Sequence, residues 1–241
     1  MSKSPFRGKL GVVPALDMAG FDELSRVVEA TTGVDGVTGY KLGLTMVLRF
    51  GLFEAMRRLR DMTDLPILYD HQKAGPDMPD MATKFTALTA EAGVAGLILF
   101  PVAGPTAVRA FAGEALKAGL VPVVGGEIPV SDYCLSGGGY LSDDALDRIM
   151  EEAAAIGTDH FVLPAHNAAS IGKRCDRLAA LLPEPVIFLT GFGPLGGSIA
   201  EGFAAARSCH ARHAIVGRLI YGAADPGEAA RRLVADLLEA A

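Results

Sequence analysis

Residues 66–100 read PILYDHQKAGPDMPDMATKFTALTAEAGVAGLILF, and three patterns follow one another inside that stretch. Pro66 to Asp70 is an apolar run of strand length that ends on a carboxylate. From about Pro79 to Ala92 apolar residues recur at helical spacing, and Gly96 to Phe100 is again an apolar run. Continuous apolar runs, unlike alternating ones, suit parallel strands covered on both faces. The stretch therefore reads as strand, helix and a second parallel strand.

The same unit recurs in both directions. Upstream, Leu10 to Asp17 and Gly39 to Leu44 read as strands, followed by helices over about Phe21 to Thr32 and Met46 to Met62. Downstream, a helix over Pro105 to Ala118 precedes a strand over Leu120 to Gly125. Ser142 and Asp143 offer N-caps for a helix to about Ile156. His160 to Ala165, Val186 to Thr190 and His213 to Gly217 complete the strands. Helices are expected over Ala168 to Leu182, through about Ser208, and from Asp225-Pro226, a cap and first-turn pair, to the C-terminus. Eight βα units with no linker-like break predict one α/β domain over 1–241, a (β/α)8 TIM barrel. An open doubly wound sheet is the competing arrangement. Residues 126–141, with Gly137-Gly138-Gly139, form the longest irregular stretch, which suggests a lid or binding loop.

Half the residues are hydrophobic and the formal net charge is −6, with no basic block, so nucleic acid is not expected as a partner. An anionic ligand needs a local positive site against this background. Gly and Pro break the longest uncharged runs, so no membrane span is expected, and the N-terminal residues lack the apolar segment of a signal peptide. Cys134, Cys175 and Cys209 are odd in number and form no C-x-x-C pair, which fits a reduced, cytoplasmic setting.

In a barrel of this kind chemistry gathers where the strands end, at their C-terminal side. Asp17 ends the first strand, where a helix cap is the simpler role. Lys41 lies inside the apolar second strand, a costly place for an ammonium unless a carboxylate or an anion faces it. Asp70, Lys73 and Asp77 follow the third strand. Alone they would be a solvated ion pair; beside Lys41 and Asp17 they become an alternating array that holds Lys73 protonated. A positioned ammonium is a proton donor for a sufficiently basic carbanion. Across the mouth, Gly191-Phe-Gly193-Pro-Leu-Gly196-Gly197 follows strand seven and Gly217-Arg218 closes strand eight, the makings of a phosphate cradle. His210 and His213, three apart and without an acidic or cysteine partner at ligand spacing, are not expected to bind metal. His71 is expected to be structural rather than catalytic, and His166 and Asn167 are loop polar groups that could touch a ligand.

Together these residues resemble the orotidine 5′-monophosphate decarboxylase family over nearly the whole chain. The points of likeness are Leu16-Asp17, Lys41-Leu-Gly, the Asp70…Lys73…Asp77 loop and the closing Val216-Gly-Arg-Leu-Ile-Tyr221. The resemblance implies conversion of orotidine monophosphate to uridine monophosphate and CO2 in pyrimidine synthesis, with no metal or organic cofactor, in a homodimer with shared sites. Lys73 would protonate C6 of the base, Asp70 would face the departing carboxylate, and Asp77 would enter the neighbouring subunit's site. Asp17 and Lys41 would hold the ribose hydroxyls, Gly217 and Arg218 the phosphate, and Pro164 would line the pyrimidine pocket.

The chain departs from that pattern at several points. D-x-x-K-x-x-x-D replaces the shorter D-x-K-x-x-D, Met81 stands where a Thr is usual, and Leu195 where a Gln is. Pro129 aligns with the hydroxyl that binds the base, with Ser131 as the nearest substitute. A related phosphosugar branch uses Mg2+ and a carboxylate at the second-strand position, which Lys41 opposes. A barrel that has lost catalysis is the reading that Leu195 and Met81 favour and the Asp70, Lys73, Asp77 set opposes.

Overall fold

The computed structural model describes residues 4–71, 78–193 and 196–240. Eight strands run in parallel and close on themselves in chain order. They are β1 (Leu10–Leu16), β2 (Tyr40–Leu42), β3 (Ile67–Asp70), β4 (Gly96–Leu99), β5 (Val121–Val124), β6 (His160–Pro164), β7 (Val186–Thr190) and β8 (Ala211–Val216). Pairing of β1 with β8, Leu10 opposite Arg212, shuts the barrel. This is the TIM barrel, and the closure excludes the open sheet.

The helices that cover it are α1 (Phe21–Thr31), α2 (Leu44–Phe50), α3 (Leu52–Arg60), α4 (Ala82–Glu91), α5 (Pro105–Lys117), α6 (Ala145–Ala155), α7 (Ala168–Leu181), α8 (Ile199–Ala205), α9 (Arg218–Tyr221) and α10 (Pro226–Glu239). The helix expected over 46–62 is two. Gly51 at φ 78 ends α2 and starts α3, a backbone turn that only glycine makes without strain. The cap of α6 is Asp144, one residue beyond the expected pair. Asp225 does cap α10, its Oδ1 accepting from the Glu228 amide at 2.9 Å. Strand eight begins two residues early because Arg212 pairs with Leu10, and α9 is a short helix that periodicity alone does not announce.

Strand parity decides where each side chain goes. In β1, Val12 and Leu16 pack outward under the helices, while Val13 and Ala15 fill the barrel. Tyr40 and Leu42 of β2, and Ile67 and Tyr69 of β3, also point outward, and Leu68 points in. Asp17, Lys41 and Asp70 therefore share the inward parity at the strand ends. Below them the interior is filled by aromatic rings. Phe6, from the segment before β1, meets Phe188 edge to face at 5.2 Å, and His213 stacks on Phe188 at 5.0 Å. Removing a side chain as large and as buried as Phe188 from such packing costs about 3–5 kcal/mol.

Candidate active site

The Nζ of Lys41 lies 2.8 Å from Asp17 Oδ2 and 2.7 Å from Asp70 Oδ2. Lys41 is 4% exposed and Asp70 fully buried, whereas Asp17 is 30% exposed at the mouth. Burial works to lower the lysine pKa, but Asp70 and then Asp17 outweigh it, and the net shift is upward. The ammonium is thus locked in its charged form. Two carboxylates flanking one ammonium meet the condition under which buried charge is tolerated, close pairing with hydrogen bonds.

A glycine makes the arrangement possible. A Cβ on Gly43 would fall 1.7 Å from Asp17 Oδ1, and the Gly43 amide donates to the Leu16 carbonyl at 3.2 Å. The Lys41-Leu-Gly order therefore supplies the cation and the space for its first anion together.

This triad opens into a cavity of about 260 Å³ that is also lined by Thr190, Gly191, Gly217, Arg218 and Tyr221, from the ends of β7 and β8. Arg218 is exposed and opens α9, and the Gly217 carbonyl accepts from the Ile220 and Tyr221 amides. The glycine loop after β7 behaves differently from the expected cradle. The Gly193 amide donates to the Gly197 carbonyl, that of Gly196 to Gly193, and that of Gly197 to Gly191. Gly193, Gly196 and Gly197 thus shape a self-bonded turn, with Gly193 at φ 72, while Gly191 and Phe192 reach the cavity.

Of the remaining expected residues, Pro164 is buried at the end of β6 beside Thr190, and Val162 of the same strand lines the cavity. Ser131 is exposed on the loop after β5, where its carbonyl packs on Gly137, and Pro129 lines the cavity instead. Lys73, Asp77 and Leu195 lie outside the described residues. The His71 ring lies tilted against Phe85, centroids 4.2 Å apart, with Nδ1 3.3 Å from the Tyr69 hydroxyl. Asn167 caps α7 through the Ser170 amide. Among the described residues no group of three or more His, Cys, Asp or Glu side chains is placed to hold a metal.

Two residues of this region escape the sequence reading. Glu127 lines the cavity, and behind it the buried Arg174 lies 2.8 Å from Glu127 Oε2 and donates from Nε to Asp147 at 2.7 Å. The signal was present in α7, where Ile171, Arg174, Cys175 and Leu178 make one buried helical stripe containing an arginine. A buried guanidinium demands carboxylate partners.

Comparison with known proteins places this geometry. Residues 11–233 match the model of the Orotidine 5'-phosphate decarboxylase / HUMPS family. The chain is 29% identical over 226 residues to an orotidine 5'-phosphate decarboxylase of Pyrococcus abyssi, covering 92% of this chain and 96% of the relative. It is 27% identical over 229 residues to one of Thermococcus kodakarensis, covering 95% and 97%. A crystal structure of orotidine 5'-monophosphate decarboxylase from Methanocaldococcus jannaschii complexed with the inhibitor BMP superposes with a TM-score of 0.76 at 22% identity, covering 95% of this chain and 99% of that one. At that identity the structural likeness speaks for the fold alone.

Proposed function

The chain belongs to the Orotidine 5'-phosphate decarboxylase / HUMPS family, and from that premise we propose that it decarboxylates orotidine 5′-monophosphate to uridine 5′-monophosphate and CO2, a step of pyrimidine synthesis. The observation that carries the reading is Lys41 bonded to both Asp17 and Asp70 in a cavity that Gly217 and Arg218 complete. The phosphate lies with Gly217 and Arg218, and the ribose hydroxyls face Asp17 and Lys41. This leaves the base over Asp70 and the Lys73 segment. The bond from C6 to the carboxylate breaks, the electron pair stays on C6, and the Lys73 ammonium delivers the proton that replaces CO2. Asp70, fixed by its pair with Lys41, repels the substrate carboxylate, and that repulsion disappears as neutral CO2 leaves. Interactions that improve toward the transition state are those that raise turnover. Phosphate binding by Arg218, remote from C6, holds the base against the array.

The family name spans a second chemistry, a Mg2+-dependent phosphosugar branch, and Lys41 separates the two. An ammonium within 2.8 Å of both carboxylates takes the place from which they would bind a divalent cation. No metal or organic cofactor is part of the proposed reaction. We place the protein in the cytoplasm as a homodimer in which Asp77 serves the neighbouring site. Exposed Met81 and Leu88, on the segment that follows Asp77, suit a face covered by a second chain.

The test is direct. Purified protein mixed with orotidine monophosphate and a chelator should bleach the substrate absorbance; turnover only on adding Mg2+ would favour the phosphosugar branch. Lys73→Ala should abolish turnover and leave nucleotide binding intact. Mixed dimers of Asp77→Ala and Lys73→Ala should regain activity in one site of two, and an absence of recovery would refute the shared site.

A further inference from the structure

The loop after β5 presents a charged group that the reaction above does not use. Glu127 stands in the cavity wall with Ile128 and Pro129, its side chain 20% exposed. Arg174 fixes it from behind, through the 2.8 Å pair to Oε2, and is itself held by Asp147 and by the Ser170 hydroxyl at 2.9 Å. Burial and then the Glu127 charge push up the pKa of Cys134 on the loop after β5, and burial, Cys134 and then Glu127 push up that of Tyr133. A buried arginine with two carboxylates adds little stability over an apolar cluster of the same volume. What the cluster does provide is one carboxylate in a set position on the wall.

The geometry of a pyrimidine gives that carboxylate a partner. N3 lies para to C6 in the ring, so a base with C6 at the end of β3 turns its N3–H across the mouth, away from Asp70. The wall on that side is built by Ile98, Ile128, Pro129 and Val162, which carry no side-chain acceptor, and by Thr190 and Glu127. We infer that Glu127 accepts the N3–H of the base through Oε1, so that the Arg174-anchored carboxylate selects pyrimidines carrying an imide N–H. The assignment rests on the decarboxylase reading. It gives the base a recognition group in a chain that has Pro129 where the family pattern has a hydroxyl.

Binding of uridine 5′-monophosphate and of its N3-methyl analogue, measured by calorimetry on the full chain, tests it. A hydrogen bond to a charged group predicts a preference for the unmethylated nucleotide of about tenfold or more in the wild type. Glu127→Ala should bring the two affinities within about twofold of each other. Glu127→Gln keeps an oxygen for Arg174 and turns an N–H toward the base, so it should also lose the preference while preserving the fold. In both variants KM for orotidine monophosphate should rise more than kcat falls, since Glu127 does not face C6. A loop-pinning role alone would leave the ratio of the two affinities unchanged. An unchanged ratio in both variants, with wild-type turnover intact, overturns the inference and spares the decarboxylase reading. Absence of both turnover and nucleotide binding in the wild type overturns both.

Discussion

Replacing Lys41 by Met keeps an unbranched side chain in the second strand and removes only the ammonium. The consequences divide unequally between its two partners. Asp17, 30% exposed, can regain water, whereas Asp70 is fully buried and cannot. At a separation of 2.7 Å the pair with Asp70 is worth about 6 kcal/mol at an effective dielectric constant of about 20, before desolvation is set against it. Measured losses on stripping one partner from a buried pair are about 3–5 kcal/mol, a fifth or more of the total stability of an ordinary domain, which is about 5–15 kcal/mol. Urea unfolding at pH 7 should show a loss of that size. Adding Asp70→Asn to Lys41→Met should restore most of it, because the stranded charge is then gone. The deficit of the single variant should narrow in acid, as Asp70 takes up a proton. The lysine's own linkage runs the other way. Its folded pKa is raised, so its stabilisation is full below about 10.5 and is lost only as pH climbs through the folded value. The wild type should therefore lose nothing through Lys41 between pH 7 and 9. A single-variant loss under about 1 kcal/mol, or no recovery in the double variant, would show that the triad is not a coupled buried unit.

Other perturbations separate stability from activity. Gly43→Ala puts a methyl into Asp17 and should cut turnover by about a hundredfold, the usual result of a displacement near 1 Å, with Lys41 still folded in place by nuclear magnetic resonance. Arg218→Ala should raise KM for the nucleotide about tenfold or more without moving the urea midpoint, since the side chain is exposed. His213 is held neutral, its pKa lowered to about 3 by burial and by His160. With a folded value below the unfolded one, its stabilisation is present above about 6.5 and is lost as pH falls toward 3. From pH 7 to pH 5 the wild type should lose about 2 kcal/mol more than His213→Gln does, and parallel loss in the two would refute the assignment.

Much of the barrel was legible because apolar runs and helical periodicity report burial directly. The unit over 66–100 carries the parallel connection, and repeated eight times it leaves little but closure. What escaped were events of local backbone and distant pairing: the break at Gly51, the early start of β8 against Leu10, and the four-residue α9. The charge triad was legible for a physical reason, since a lysine between Tyr40 and Leu42 has no bland explanation in a covered strand. That the amides of Gly193, Gly196 and Gly197 bond within their own loop was not legible, because composition says which residues can turn, not which amides the turn itself consumes. Glu127 was missed because its partner is forty-seven positions away, on a helix whose stripe looked apolar apart from one arginine.

The distribution of cations across the mouth follows from that last pairing. A chain of net charge −6 that takes an anionic ligand must hold free positive charge somewhere. Arg174 stands behind the cavity wall, where Glu127 and Asp147 neutralise it. Lys41 is likewise consumed by Asp17 and Asp70. Among the described residues that line the cavity, Arg218 remains, exposed at the end of β8 and outside the paired charges of Lys41, Asp17 and Asp70. The uncompensated charge thus sits where a phosphate would be anchored, while the reacting end faces paired charges of net negative sign. A substrate with a phosphate at one end and a carboxylate at the other is drawn in by the first and repelled at the second. Salt should therefore weaken KM through Arg218 and leave the rate of the bound complex nearly unchanged, because exposed charge is screened and the buried triad is not.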